Sequence, residues 1–335
     1  MKTYSVVIPV YKRFKELRLT LHSILSQSYL PLEVIIVNNN NKETHDYKQL
    51  KNYVISKKHP KVNIIHLKSK INSGAIARNS GAKIALGELI AFIDSDVILD
   101  NQYAANIINK FDKYENLIAA QGVDTNLQDT YKNIKRSFIR KMIYYFEHFF
   151  QTSFLFKKGN CKVLPSLAVT HPSPPFNFEF ESEWISTCAG FFKKSIFRKY
   201  EFCSQFVTYS WNEYILLSYT LFKKNEGKMI YTSDAKYKGI ITSDGRLNPI
   251  SLQYMAETYD LFIFLNLFDQ KKYINLITFL KSRIGRIIYY YLYLIKYSKV
   301  HINSIFTPFL ALSYALMHLK KIKKGDLSFY KKDFS

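Results

Sequence analysis

Cysteine is scarce in this chain. Cys161, Cys188 and Cys203 are the only three in 335 residues, with no CxxC pair and no metal-ligand spacing. That argues against a disulfide framework or a cysteine-built metal site and fits a reducing compartment. Acidic side chains are also few. Against 48 Lys+Arg stand 26 Asp+Glu, a net charge of +22. Such an excess points to an anionic partner: nucleic acid, an acidic membrane surface or a phosphorylated substrate. Abundant Asn, Ile and Tyr leave base-composition bias as the alternative source of the lysines. No uncharged apolar run reaches the roughly 18–20 residues that a membrane span needs. The nearest, Ile302 to Leu319, is interrupted by Asn303, Ser304, Pro308 and His318. The N-terminal apolar run ends at Pro9 with no small-residue cleavage site after it, so no signal peptide is expected and the chain is expected to start in the cytoplasm. Repeats and low-complexity segments are absent. With 47% hydrophobic residues, the chain is not of disordered composition, and it is long enough for one large domain with an appendage or for two domains.

What is present is an alternation of strand and helix patterns. Tyr4–Val10 is a β-branched run of the kind buried on both faces of a sheet. Phe14, Leu17, Leu21, Ile24 and Leu25 form one helical stripe, with Pro31 beyond it. Leu32–Asn38 and Val62–Leu67 read as further strands, separated by the polar run that begins at Asn38. "GAIARNSGAKIAL" is a helix of small residues that can lie close against a sheet. "ELIAFID" is a fourth strand and Leu117–Val123 a fifth. Strands separated by helices predict βαβ units and a mostly parallel sheet, in which ligands bind at the carboxyl ends of the strands.

The fourth strand runs straight into Asp94, Ser95 and Asp96. Residues i and i+2 of an extended chain point the same way, so both carboxylates can face one target. Two carboxylates at the mouth of a sheet suit a hard divalent cation that also takes phosphate oxygens and water. A turn with a helix cap is the plainer reading.

Asn72 to Asp96, "NSGAIARNSGAKIALGELIAFIDSD", resembles the nucleotide-sugar-binding region of the family 2 glycosyltransferases. The matching residues are Asn72, Gly74, Ala77, Arg78, Asn79, Gly81, Asp94 and Asp96. "SVVIPVYKR" resembles that family's first strand, with Pro9 and Tyr11 at its nucleotide-contacting end. The resemblance covers residues 4 to 100 well and 185 to 240 loosely, and implies the GT-A fold: a Rossmann-like, mostly parallel sheet flanked by helices. It implies donor contacts from Pro9, Tyr11, Asn72, Gly74, Arg78, Asn79, Asp94, Ser95 and Asp96, with Mg²⁺ or Mn²⁺ on Asp96 and Asp94. "WNEYILLSYTLF" matches the place of the family's catalytic base. That makes Glu213 the base candidate, with Trp211, Asn212 and the glycine at Gly190 on the acceptor side. A solvated helix-start glutamate favoured by the dipole is the alternative for Glu213.

Three departures stand out. Asn38 or Asn39 occupies the place of the Asp that recognises the nucleotide base; an amide donates as well as accepts. Asn212 stands where the family has an acid before its base. "DAKYKGI" lacks the histidine that often ligates the metal. These departures leave open a relative that binds a glycan or a partner without catalysis.

The expected organisation is a catalytic domain over 1–245, with a nucleotide-sugar half to about 123 and an acceptor half over 124–245. A basic, apolar helical region over 246–335 follows, including "YMAETYDLFIFLNLF", "YINLITFLKSRIGRIIYYYLYLIKY" and "INSIFTPFLALSYALMHLKKIKK". Lys320, Lys321, Lys323 and Lys324, with the basic stretch Lys132 to Lys141, suit anionic headgroups; a helical bundle packed on the main domain is the alternative. The expected partners are a nucleotide-sugar donor, a glycan or lipid-linked acceptor and an anionic membrane at the cytoplasmic face. Nucleic acid is not expected, because the cations concentrate beside apolar helices rather than in a polar groove and no motif of a known reader appears. The oligomeric state is left open.

Overall fold

The computed structural model describes residues 1–39, 48–49, 52–53, 60–152, 155–157, 159, 161–173, 177–242, 244–297 and 305–334. Most of the polar loop expected after Asn38, and part of the Pro-rich stretch after Thr170, lie outside them. In chain order the elements are β1 (Tyr4–Val10), α1 (Phe14–Leu25), β2 (Glu33–Asn38), β3 (Asn63–Lys68), α2 (Gly74–Ile84), β4 (Leu89–Ile93), β5 (Val97–Leu99), α3 (Tyr103–Lys113), β6 (Leu117–Asp124), α4 (Asn126–Arg136), α5 (Phe138–Phe150), β7 (Leu155–Lys157), β8 (Thr170–Pro172), β9 (Glu179–Glu181), β10 (Ala189–Lys193), α6 (Glu213–Lys223), β11 (Lys228–Gly239), α7 (Pro249–Leu267), α8 (Tyr273–Tyr297), α9 (Thr307–Met317), α10 (Leu319–Lys323) and α11 (Ser328–Phe334).

The chain divides into two units. Met1–Thr130 and Pro174–Arg246 form the first; Tyr131–Ser173 and Leu247–Ser335 form the second. The stretch expected as an acceptor half, 124–245, is thus divided. Its residues 131–173 pack with the C-terminal helices, and only the remainder joins the nucleotide-sugar half.

The first unit is built on a nine-stranded sheet of order β3-β2-β1-β4-β10-β6-β11-β5, with β9 also on β11. The first four strands are parallel, as the alternation of strand and helix predicts. The runs of β1, β2 and β4 are buried on both faces, with no exposed residue, while β3 at the sheet edge is only partly buried. Helix α1 buries Leu17, Leu21 and Ile24 from its apolar stripe. Helix α2 uses its small residues as expected: a Cβ on Gly81 would lie 2.4 Å from Val7 Cγ1. Strand β10 departs from the simple pattern, running antiparallel between β4 and β6. Because β2, β1 and β4 are adjacent and parallel, their carboxyl ends bring Asn38, Tyr11 and Asp94 to one edge of the sheet.

The second unit is helical. Asn248 caps α7, its side chain accepting from Ser251 N at 2.8 Å, with Pro249 in the first turn. Helix α7 is expected to be apolar over most of its circumference, and it is buried over most of its length, including Glu257 and Asp260. It forms the centre of this unit, so this one helix is covered by its neighbours rather than lying at an interface. Phe264 stacks on Phe279 of α8 at 4.3 Å, and Tyr259 meets Tyr330 of α11 at 5.1 Å. The third expected helix is divided at His318 into α9 and α10, and the His318 ring stacks on Phe329 at 4.0 Å. No helix among the described residues is long and apolar enough to cross a membrane.

Candidate functional site

The turn after β4 is held from three sides. Asp94 N donates to Cys188 O at 2.9 Å, continuing the β10 pairing past the strand end. Thr20 Oγ1 donates to Ser95 O at 3.0 Å and accepts from Val97 N at 3.2 Å. Ile240 N donates to Asp96 O at 2.7 Å. Ser95 is therefore buried as a structural residue of the turn, while the Asp94 and Asp96 side chains keep 27% and 13% of their surface exposed.

Each aspartate meets its own arginine. Arg78 Nη2 donates to Asp94 Oδ1 at 2.7 Å, and Arg13 Nη1 donates to Asp96 Oδ2 at 2.7 Å. Burial pushes Asp96 up to about 6, and the Asp94 charge adds to it against the pull of Arg13. Arg78 is buried, and its other Nη donates to Glu213 Oε1. One guanidinium thus bridges Asp94 at the end of β4 and Glu213 at the start of α6.

Glu213 is only 4% exposed, so it is not a solvated helix-start glutamate. Burial raises its carboxyl to about 7; Arg78 opposes the rise and Asp94 adds to it. A carboxylate tuned near neutrality suits proton abstraction. Its Oε2 and the Nε of Arg78 are buried without hydrogen-bond partners, a cost that structural ion pairs normally avoid.

The segment that presents Glu213 is strained. Thr208, Ser210 and Asn212 all adopt left-handed backbone, with φ of 57°, 53° and 56°, which costs non-glycine residues energy and recurs at functional sites. The start of α2 holds this segment in place. Thr208 N donates to Asn72 O at 2.6 Å, Gly74 N to Thr208 O at 3.2 Å, and Ala75 N to Ser210 Oγ at 3.2 Å. Gly74 leaves room here, since a Cβ would lie 3.0 Å from Arg78 Nη1. Asn72 and Gly74 thus shape the site through backbone.

The remaining candidates take varied positions. Asn79 spends its amide on loop backbone, donating to Phe202 O at 2.8 Å and accepting from Phe202 N at 2.9 Å. Asn38 and Asn39 are buried at the end of β2; Asn39 N donates to Val10 O at 2.8 Å, and its Oδ1 is buried without a partner. Pro9 and Tyr11 are partly exposed at the end of β1. Gly190 lies inside the sheet opposite Phe92, where a Cβ would fall 2.2 Å from Ser186 O. Trp211 and Asn212 are half-buried beside Glu213.

Sequence reasoning missed Arg13, Tyr209 and Arg246. Arg13 Nε also donates to Asp244 O at 2.8 Å, and a Cβ on Gly245 would lie 2.4 Å from Tyr11 O. The chain after β11 therefore closes over the β1 end. Arg246 pulls electrostatically on Asp96 and on Tyr209, whose phenol is pushed up by burial and by Asp94. Arg13 follows β1 directly, whereas Tyr209 and Arg246 come from distant segments.

Among the described residues no three or more His, Cys, Asp or Glu side chains gather as a metal site. Asp94 and Asp96 fit a hard cation that completes its shell with phosphate and water. Asp96 is raised by burial and, after that, by the neighbouring Asp94 charge, which a bound cation would offset.

Residues 5–170 match the sequence model described as Glycosyl transferase family 2. The chain belongs to that family. Within it, the chain is similar to the amylovoran biosynthesis glycosyltransferase AmsB of Erwinia amylovora, 35% identical over 28% of this chain and 31% of AmsB. The match spans only 25% of the length of the Escherichia coli glycosyltransferase YibD and 31% of AmsB. The fold is GT-A, shared with S. aureus TarS 1-349 in complex with UDP-GlcNAc at a TM-score of 0.54, 12% identity, 98% of this chain and 89% of that one. It is shared also with GalNAc-T7 with UDP, GalNAc and Mn²⁺ at a TM-score of 0.52, 14% identity, 79% of this chain and 50% of that one.

Proposed function

We propose that this family 2 protein is an inverting glycosyltransferase that moves a sugar from a nucleotide-sugar donor to a glycan or lipid-linked acceptor. The observation that carries the reading is the Asp94–Arg78–Glu213 bridge. It sets a buried carboxyl raised to about 7 beside the carboxylates at the sheet edge. In one displacement, Glu213 takes the proton of an acceptor hydroxyl. That oxygen attacks the anomeric carbon, forming the new C–O bond as the bond to the diphosphate breaks. Negative charge then accumulates on the departing diphosphate, next to Arg78 and Arg13. When bound by Asp96 and Asp94, Mg²⁺ or Mn²⁺ would supply further charge neutralisation at that leaving group. The donor contacts we assign to the β1, β2 and β4 ends are Pro9, Tyr11, Asn38 and Asn39, with Asn72 and Gly74 shaping the floor. Trp211, Asn212 and the loop behind Gly190 face the acceptor in this reading.

The acceptor pathway is cell-surface polysaccharide synthesis, such as O-antigen, capsule or lipopolysaccharide. Support comes from the similarity to AmsB, an amylovoran biosynthesis glycosyltransferase. We further propose that the protein works as a peripheral protein at the inner face of the cytoplasmic membrane, supported by its net charge of +22. Thermal stabilisation by a panel of nucleoside diphosphates, with and without Mn²⁺, tests the donor half. Donor hydrolysis or transfer that is lost in Asp96→Ala is the expected outcome. No stabilisation by any nucleotide and no turnover would overturn the reading in favour of a binding protein.

A further inference from the structure

The second unit leaves large apolar side chains exposed along two of its helices. No residue of α5 is buried, although apart from Arg140, Lys141, Glu147 and His148 the helix is apolar or aromatic. Phe138, Ile139, Met142, Tyr145 and Phe149 are each more than half exposed. Their spacing of three and four residues puts them on one face.

Helix α8 repeats the pattern. Tyr273, Ile277, Leu280, Ile284, Ile288 and Leu292 follow one another at the same spacing and are 37–81% exposed. At 1.5 Å per residue this stripe is about 28 Å long. The two helices adjoin. A Cβ on Gly285 would lie 2.3 Å from Phe150 Cβ, and Lys281 Nζ sits 3.6 Å from the centroid of the Phe149 ring. The arginines of α8 do not interrupt the stripe, because Arg283 and Arg286 turn inward to Glu257 and Asp260.

We infer that the α5–α8 face lies in the interface of an anionic bilayer. This rests on the membrane attachment proposed above and assigns it to one surface. Three observations select a bilayer over a protein partner. Helix α8 carries no acidic residue in its 25 positions. Exposed cations border the stripes: Arg140 and Lys141 on α5, and Lys271 and Lys272 just before α8. At the start of the α8 stripe stands Tyr273, 81% exposed, an amphipathic ring of the kind found at headgroup level. No described helix is long and apolar enough to span, so the helices lie in the plane, with the stripes in the acyl boundary and the cations at the phosphates. Anchoring thus depends on α5 and α8, and the lysines of α10 add only long-range attraction.

Flotation of the full chain with phosphatidylglycerol–phosphatidylcholine vesicles tests this, with pure phosphatidylcholine as the neutral arm. The wild type is expected to float with the anionic vesicles. The double substitution Ile277→Glu with Ile284→Glu is expected to cut the bound fraction at least tenfold. Its thermal midpoint and its donor hydrolysis should match the wild type, since both positions are exposed and outside the site. Replacing Lys320, Lys321, Lys323 and Lys324 by Gln should reduce binding only a few-fold. In a separate Ile284→Trp variant, fluorescence should shift blue on anionic vesicles and be quenched by brominated acyl chains. The inference is overturned if the double variant floats like the wild type or if the tryptophan is not quenched. It is overturned too if sedimentation shows a wild-type dimer that the double variant dissociates, because the face then covers a second copy. Loss of donor turnover with flotation intact would sink the glycosyl-transfer reading and leave this one standing.

Discussion

Arg78 and Arg283 are both buried, and both bridge two carboxylates, yet their surroundings differ. Arg283 donates to Asp260 at 2.9 Å, to Glu257 at 3.4 Å and to Ser166 O at 3.3 Å. Arg286 adds a second cation to Asp260 at 2.6 Å. Two cations thus balance two anions. No polar atom of Arg283, Glu257 or Asp260 is left buried without a partner, and the helices around them are regular. Around Arg78 the balance is incomplete. Glu213 Oε2 and Arg78 Nε are orphaned, Glu213 is raised to about 7, and the segment before it holds three left-handed non-glycine residues. A satisfied buried network fixes a fold. An unsatisfied one beside a strained segment is poised to exchange partners with a ligand.

The comparison can be broken most directly at Glu213. Glu213→Gln should lower kcat by about 10²- to 10⁴-fold while leaving the urea midpoint near that of the wild type. Full turnover in this variant would place the base elsewhere. Arg283→Met should do the reverse. Removing one partner of a buried pair costs about 3–5 kcal/mol, so denaturant titration should show a large loss, with kcat per folded molecule unchanged.

A pH series sharpens the contrast. Glu213 must be deprotonated to act, so transfer should rise about tenfold per pH unit up to a limb near 7 and then level. Stability should move in the opposite sense. A carboxyl raised in the folded state contributes stability that is fully present below its ordinary pKa of 4.5 and is lost as pH rises through about 7. Glu213→Gln should flatten that loss, which pH-dependent melting would detect.

Smaller effects follow. Gly190→Ala forces a Cβ against Ser186 O and should destabilise by about 1–3 kcal/mol, which thermal melting would show. The exposed Lys199–Glu226 pair should matter least: Lys199→Ala is expected to leave both melting and turnover unchanged, as exposed ion pairs usually do.

Much of the first unit is legible in the chain. The buried runs at Tyr4–Val10 and Leu89–Ile93 can only be interior strands, and the small residues of α2 fit a helix against a sheet. The Asp94–Asp96 pair and Glu213 are readable because motif spacing is local. Arg13, Tyr209 and Arg246 were not readable, because nothing local distinguishes a cation or phenol that reaches the site from one in solvent. Strand β10 escaped for a related reason: five residues with a glycine carry no period that says between which strands they fit. Helix α7 misled because a helix that is apolar all round reads alike in a bundle centre and at a membrane; only its burial of Glu257 and Asp260 against Arg283 and Arg286 separates the two.

The order of residues alone determined where strands and helices form, since hydrophobic period and turn chemistry act over a few residues. It also set two carboxylates at the end of a buried strand. The tertiary structure decided which arginine meets which carboxylate, which glutamate is buried enough to titrate near neutrality, and which apolar stripes are left uncovered. Those outcomes depend on contacts between segments far apart in sequence, and on desolvation, which exists only once the chain has packed.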